Sequence, residues 1–224
     1  MAIGSKLDFS ALYELLDAPV TAFDCGQLCA PANGGVPVCC DHDKVIPVLY
    51  KGEFKMLMER TELWRPWKAE TRAEKKMKSE LSDYALCVCK GAAFCERDNR
   101  SLNCRTFPFA PYFDHDGVLS GLVFDYEAAE GKCPLLDLPG VATRSYIEQS
   151  LDFWAAVCTA DRSEAEFQWQ ECEKIRRVFG KKNQPVPVHV AAGIREFPTG
   201  KNEWRALREA DKLPKLIPLA RPQG

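Results

Sequence analysis

The chain has 224 residues, 46% of them apolar and 28% charged, with a formal charge of −2. That composition suits a globular protein long enough to bury a real core, and no run of ~18 apolar residues offers a membrane-spanning helix. The start carries Asp8 and Glu14 and lacks a basic stretch leading into an apolar one, so no cleaved signal peptide is expected and a cytoplasmic location is.

Taken in order, the apolar spacing predicts a short helix over Leu7 to Leu16, capped by Asp8 or Ser10. Cys25 to Asp43, rich in Gly and Pro, reads as an irregular loop. Val45 to Tyr50 is a β-branched run fit for a short strand, and Pro47 assigns it to an edge. Phe54, Leu57 and Met58 open a helical face that ends near Trp64, and Pro66 to Leu81 predicts a charged surface helix. A second cysteine-rich loop is expected from Cys87 to Pro111, with Phe107 to Pro111 as a rigid apolar lid. Val118 to Tyr126, after the turn His115-Asp116-Gly117, is the clearest strand.

Tyr146 to Val157 predicts an amphipathic helix, and Ser163 with Glu166 a capping box for a further helix ending at Gly180. Beyond it lie a short strand over Val186 to Val190, a helix over Asn202 to Ala210 and a proline-broken tail from Pro214 to Gly224. The expected fold is mainly α with minor β, its irregular cysteine-rich loops organised around a metal centre. Residues 1–139 form the expected cysteine-cluster domain. Residues 140–224 form a helical region with a basic tail, either separate or packed on the first as one unit.

Charge is unevenly spread: from Lys174 to Gly224 there are twelve Lys or Arg against four Asp or Glu. That basic stretch either lies against its own acidic body or contacts an acidic partner. Only Phe179, Phe197 and Trp204 interrupt it, too few aromatics for a single-strand binder, so nucleic acid is not the expected partner and an unknown protein is.

Eleven cysteines are the dominant feature. An odd number without an export signal argues against a disulfide framework and for metal ligation. Nine of them fall in three groups: Cys25-x3-Cys29-x9-Cys39-Cys40, then Cys87-x-Cys89-x5-Cys95-x8-Cys104, then Cys133 before Pro134. Loops can turn several thiolates inward on a tetrahedral metal or an iron–sulfur cluster, whose charge neutralises theirs. Four ligands complete one centre. Nine therefore suffice for two, or for one with the rest as small buried hydrophobes. Neighbouring side chains on extended backbone point to opposite sides, so Cys39 and Cys40 can serve different centres. Thiolates exceed one structural zinc's requirement, which favours iron. Arg100 and Arg105 are placed to donate hydrogen bonds to sulfur and tune its potential, or to pair with Glu96, Asp98 or Asp114. His42 is either a further ligand or a solvated turn residue; His115 and His189 read as structural, and Cys158 and Cys172 as core.

The order Cys…Cys…Cys-Cys followed by Cys95-x8-Cys104-Arg105-Thr106-Phe107-Pro108 resembles the YkgJ-type cysteine-cluster family, described as a zinc- or iron-chelating domain. Phe23-Asp24-Cys25, Val45-Ile46-Pro47-Val48 and Gly131-Lys132-Cys133-Pro134 are similar to other parts of its pattern. Ser101 stands where the family has proline, and the first two cysteine gaps are wider than the family's. The resemblance spans about Phe23 to Pro134 and implies an iron–sulfur cluster, [4Fe–4S] favoured, or zinc. The expected function is metal binding with a redox or metal-handling role. The alternatives are a zinc-stabilised binding module and a protein-modifying enzyme resembling the flagellin lysine-N-methylases, which share a similar cluster. No glycine-rich turn for S-adenosylmethionine is present to support the last.

Overall fold

A computed structural model of the chain describes residue 4 and residues 6–125, 133–138 and 140–199. Helix α1 (Phe9–Leu15) starts where the Asp8 carboxylate accepts from the Ala11 N–H, and it buries Leu12 and Tyr13. A single turn, α2 (Gly26–Cys29), leads into 3-10 turns at Ala30–Asn33 and Val38–Cys40. Strands β1 (Val48–Tyr50), β2 (Trp64–Pro66) and β3 (Tyr84–Cys89) form an antiparallel sheet in the order β1-β3-β2. Val48 faces Leu86 across one ladder and Trp64 faces Cys89 across the other. Helix α3 (Lys51–Arg60) joins the outer strands. Helix α4 (Arg72–Glu80) buries none of its residues and is held by a Thr71–Glu74 capping box. Helix α5 (Leu102–Thr106) begins at Ser101, whose hydroxyl accepts from the Cys104 N–H.

The second sheet orders β4 (Phe109–Phe113), β5 (Leu119–Phe124), β6 (Val186–Val190) and β7 (Gly193–Phe197) as neighbours, all antiparallel. Pro111, which has no N–H to give, sits in the edge strand β4. Gly121 lets β5 and β6 approach: a Cβ there would lie 2.4 Å from a Val188 methyl and 2.7 Å from the His189 carbonyl. Two long helices, α6 (Arg144–Ala160) and α7 (Arg162–Lys181), pack beside this sheet. Their apolar stripes, with Tyr146, Phe153, Val157 and Cys172, join Leu122, Val123 and Val188 in a core that also takes in Leu12, Leu49 and Leu57 from the first half of the chain. Arg176 is buried, paired with Glu173, donating to the Phe113 carbonyl and lying 5.5 Å from the Tyr112 ring centre.

The expectation of a mainly α chain is corrected by these two sheets: the architecture is mixed α and β, and the segment expected to be irregular from Cys87 to Pro111 contains the end of β3, α5 and the start of β4. Valine and cysteine alternate in Tyr84–Cys89 as a strand requires, and reading the cysteines only as ligands hid the pattern. Nor does the predicted capping box of Ser163 and Glu166 form. Asp161, two residues earlier, accepts from both the Ser163 and Glu164 N–H groups, a stronger cap because its carboxylate is charged. The predicted helix over 202–210 and the proline tail lie outside the described residues.

Candidate metal centre

Cysteines from separate stretches of chain converge where the first sheet, α2 and α5 meet. Gly26 permits this on one side: a Cβ there would stand 2.9 Å from Pro37, so α2 closes against the turn bearing Cys39 and Cys40. On the other side the Trp64 indole N–H donates to the Asn99 carbonyl at 2.8 Å and pins the loop before α5. Arg105 binds the same loop to α1, donating to the carbonyls of Tyr13, Leu16, Asp98 and Arg100, with its guanidinium 4.5 Å from the Tyr13 ring centre. Beneath them the buried Glu53 carboxylate accepts from the Tyr13 hydroxyl at 2.9 Å and the Leu102 N–H at 2.7 Å. Burial pushes its pKa up to about 7, against those two hydrogen bonds.

Two adjoining cavities result. One, of about 140 Å³, is lined by Cys25, Cys39, Cys40, Cys89, Cys95 and Cys104 together with His42. The other, of about 110 Å³, is lined by Cys25, Cys29, Cys39, Cys104 and Cys133. Arg100 and Phe107 belong to both. Thus eight of the nine grouped cysteines face a shared space. The charges sort them further: Cys133 feels Cys25 and Cys29, whereas Cys104 feels Cys40 and Cys89, and Cys89 feels Cys95. Cys39 lines both cavities and Cys40 only the first, so the vicinal pair lies at the seam between them.

Several sulfurs accept hydrogen bonds, as thiolates do far better than thiols. The Arg100 Nε donates to Cys95 Sγ at 3.0 Å, the Val38 N–H to Cys29 Sγ at 3.4 Å and the Gly91 N–H to Cys89 Sγ at 3.4 Å. Burial opposes the Arg100 charge, but the sulfurs of Cys95, Cys104 and Cys40 outweigh it and raise its pKa. Burial also raises the thiols of Cys25, Cys89 and Cys133, and pushes Cys104 up to about 12. Cys39 donates to Cys40, which with the Arg100 charge holds Cys40 down at about 7. A metal binds the thiolate and displaces the thiol's proton, so affinity for a metal would rise with pH. Among the described residues no three His, Cys, Asp or Glu side chains already stand as a ligating group; to share an ion the thiols would have to turn inward. The donor set fits thiophilic ions: soft sulfur, one imidazole, and N–H groups aimed at sulfur.

Cys87 stands apart. It is fully buried beside β1, its thiol directed at the Pro47 carbonyl at 3.7 Å, and lines neither cavity. Arg105 makes its hydrogen bonds to carbonyls and none to sulfur among the described residues. Phe107 lines both cysteine cavities and Pro108 one of them, whereas Phe109 is buried in the core, so the expected lid is confined to its first two residues. Cys172 is core, accepting from the Phe113 N–H at 3.2 Å and donating to the Pro111 carbonyl at 3.3 Å. His189 packs edge-on against Phe109 and Phe124. His42 Nε2 lies 3.4 Å from Cys89 Sγ. Its position two residues after Cys40 was the available signal. The sequence reading missed Arg97 and Glu53, neither of which stands in a cysteine motif.

No known protein family, curated protein or solved structure matches the chain. Among the described residues no helix is long and apolar enough to cross a membrane.

Proposed function

We propose that this is a cytoplasmic metal-binding protein whose clustered cysteines hold an iron–sulfur centre, [4Fe–4S] favoured, in a redox or metal-handling role. The observation that carries the reading is the convergence of eight thiols on two adjoining cavities, with Arg100 between them. The likeness to the YkgJ-type motif points the same way. Cys40, Cys89, Cys95 and Cys104 are the natural ligands on one side of the seam, and Cys25, Cys29, Cys39 and Cys133 on the other. A centre held there would supply electron exchange or metal transfer, and Arg100 with the backbone N–H groups at Cys29 and Cys89 would favour its more reduced, more negative state.

The test is metal and sulfide analysis with a visible spectrum on protein purified without oxygen. Iron, acid-labile sulfide and absorbance near ~400 nm that dithionite bleaches are expected. A second reading, structural zinc, is favoured by the contact of His42 with Cys89, which offers a mixed imidazole–thiolate set. Colourless protein with stoichiometric zinc would select it. Neither metal would overturn both.

A further inference from the structure

A cleft of about 430 Å³ lies beside the cysteines. One wall is the backbone strip from Leu16 to Cys25; the other carries Arg97, Arg100 and Arg105. Cys25, Arg100 and Cys104 line this cleft and both cysteine cavities, so they form a common partition. A molecule seated in the cleft therefore touches the candidate metal ligands from outside.

Its electrostatics are specific. Its lining includes Arg97, Arg100 and Arg105 with Asp17 and Asp24, which leaves a single net positive charge among the lining residues. Arg105 contributes chiefly charge, because four of its five N–H groups are committed to the carbonyls of Tyr13, Leu16, Asp98 and Arg100. Arg97 gives one N–H to the Asp17 carbonyl at 3.3 Å, and Arg100 gives its Nε to Cys95. The remaining N–H groups of these two forks meet no acceptor among the described residues. Two planar forks with free donors match a planar carboxylate. Asp17 and Asp24 make a second negative charge costly.

We propose that this cleft binds a small monocarboxylate anion against the cysteine partition, as substrate or effector of the centre behind it. The proposal deepens the metal-centre reading and rests on it for what the bound anion does, though not for the binding itself. No bond is made or broken in this step.

The experiment is calorimetric titration of the full, metal-loaded chain with sodium lactate, succinate and inorganic phosphate at fixed ionic strength, with the visible spectrum followed in parallel. Saturable lactate binding is expected, weaker for both dianions. Arg97→Gln removes a charge-assisted donor from an exposed side chain and should weaken lactate about tenfold or more. Arg97→Lys, which keeps the charge and loses the fork, should restore only part of that. Arg65→Gln, outside the cleft, should change nothing. Absence of saturable lactate binding, equal affinity in Arg97→Gln, or tighter binding of succinate or phosphate would each overturn the proposal. Heats of binding are read whether or not the protein is coloured, so a failed cleft and a failed metal centre give different results.

Discussion

The two buried regions of this molecule use cysteine in opposite ways. In the core between the second sheet and helices α6 and α7, Cys172 is sealed at 1% exposure, with one hydrogen bond accepted and one donated to neighbouring backbone. It behaves as a small satisfied core residue. In the cysteine region the thiols are half-buried, most sit on single turns or at strand ends, and they line the two cavities, Cys25, Cys89, Cys104 and Cys133 also packing against the edge of the core. Apolar burial explains the first region without further help. The second holds many half-exposed thiols on short turns, and a metal bound there would contribute folding energy directly.

The largest effect that sharpens this contrast is metal removal. Removing a centre held there with a chelator should destabilise the cysteine region by roughly 10 kcal/mol or more, the scale of metal-coupled folding. Hydrogen exchange would read it as lost protection around α2, α5 and the turn at Val38–Cys40, with α6 and α7 unaffected. Next comes Phe153→Ala in the core, where a ring 1% exposed is deleted. It should cost about 3–5 kcal/mol in urea unfolding and leave the metal content per folded chain unchanged.

Glu53 ties α1 to α5 beside the cysteine region and gives a pH signature. Its folded pKa is raised from 4.5 to about 7, chiefly by burial. Between those values the unfolded chain releases its proton first, so stability is full below pH 4.5, falls as pH rises, and levels off above 7. The loss is about 3 kcal/mol. Glu53→Gln should abolish that slope in parallel urea titrations at pH 5 and pH 8; an unchanged slope would assign it elsewhere. The smallest effect is Cys172→Ala, which leaves the Phe113 N–H without its sulfur acceptor and should cost about 1–3 kcal/mol with full metal retention. Loss of metal in that variant would break the comparison.

Much of this was legible from residue order. The helical period located α1, α6 and α7, and the β-branched run located β6. The run at Val45 to Tyr50 located the edge strand β1, but β2, β4 and β7 were not legible, for separate reasons: Pro111 disguises β4, three residues are too few to show a period in β2, and β7 is exposed along most of its length and so lacks an apolar face. Close spacing picked out the grouped cysteines. Which of them share a cavity depends on contacts far apart in sequence, such as Arg105 with Leu16 and Gly26 with Pro37, which no local pattern encodes. Hence Cys87 and Cys89, two residues apart, could not be told apart until the sheet placed one under Pro47 and the other at the cavity.

The central claim, that eight thiols serve a metal while the buried ones serve the core, is tested most directly by alkylation mapped with mass spectrometry, on native protein before and after chelation. Cys25, Cys29, Cys39, Cys40, Cys89, Cys95, Cys104 and Cys133 should be protected before and labelled after, with Cys87 and Cys172 unlabelled in both until the chain is unfolded. An identical labelling pattern with and without the metal would contradict it.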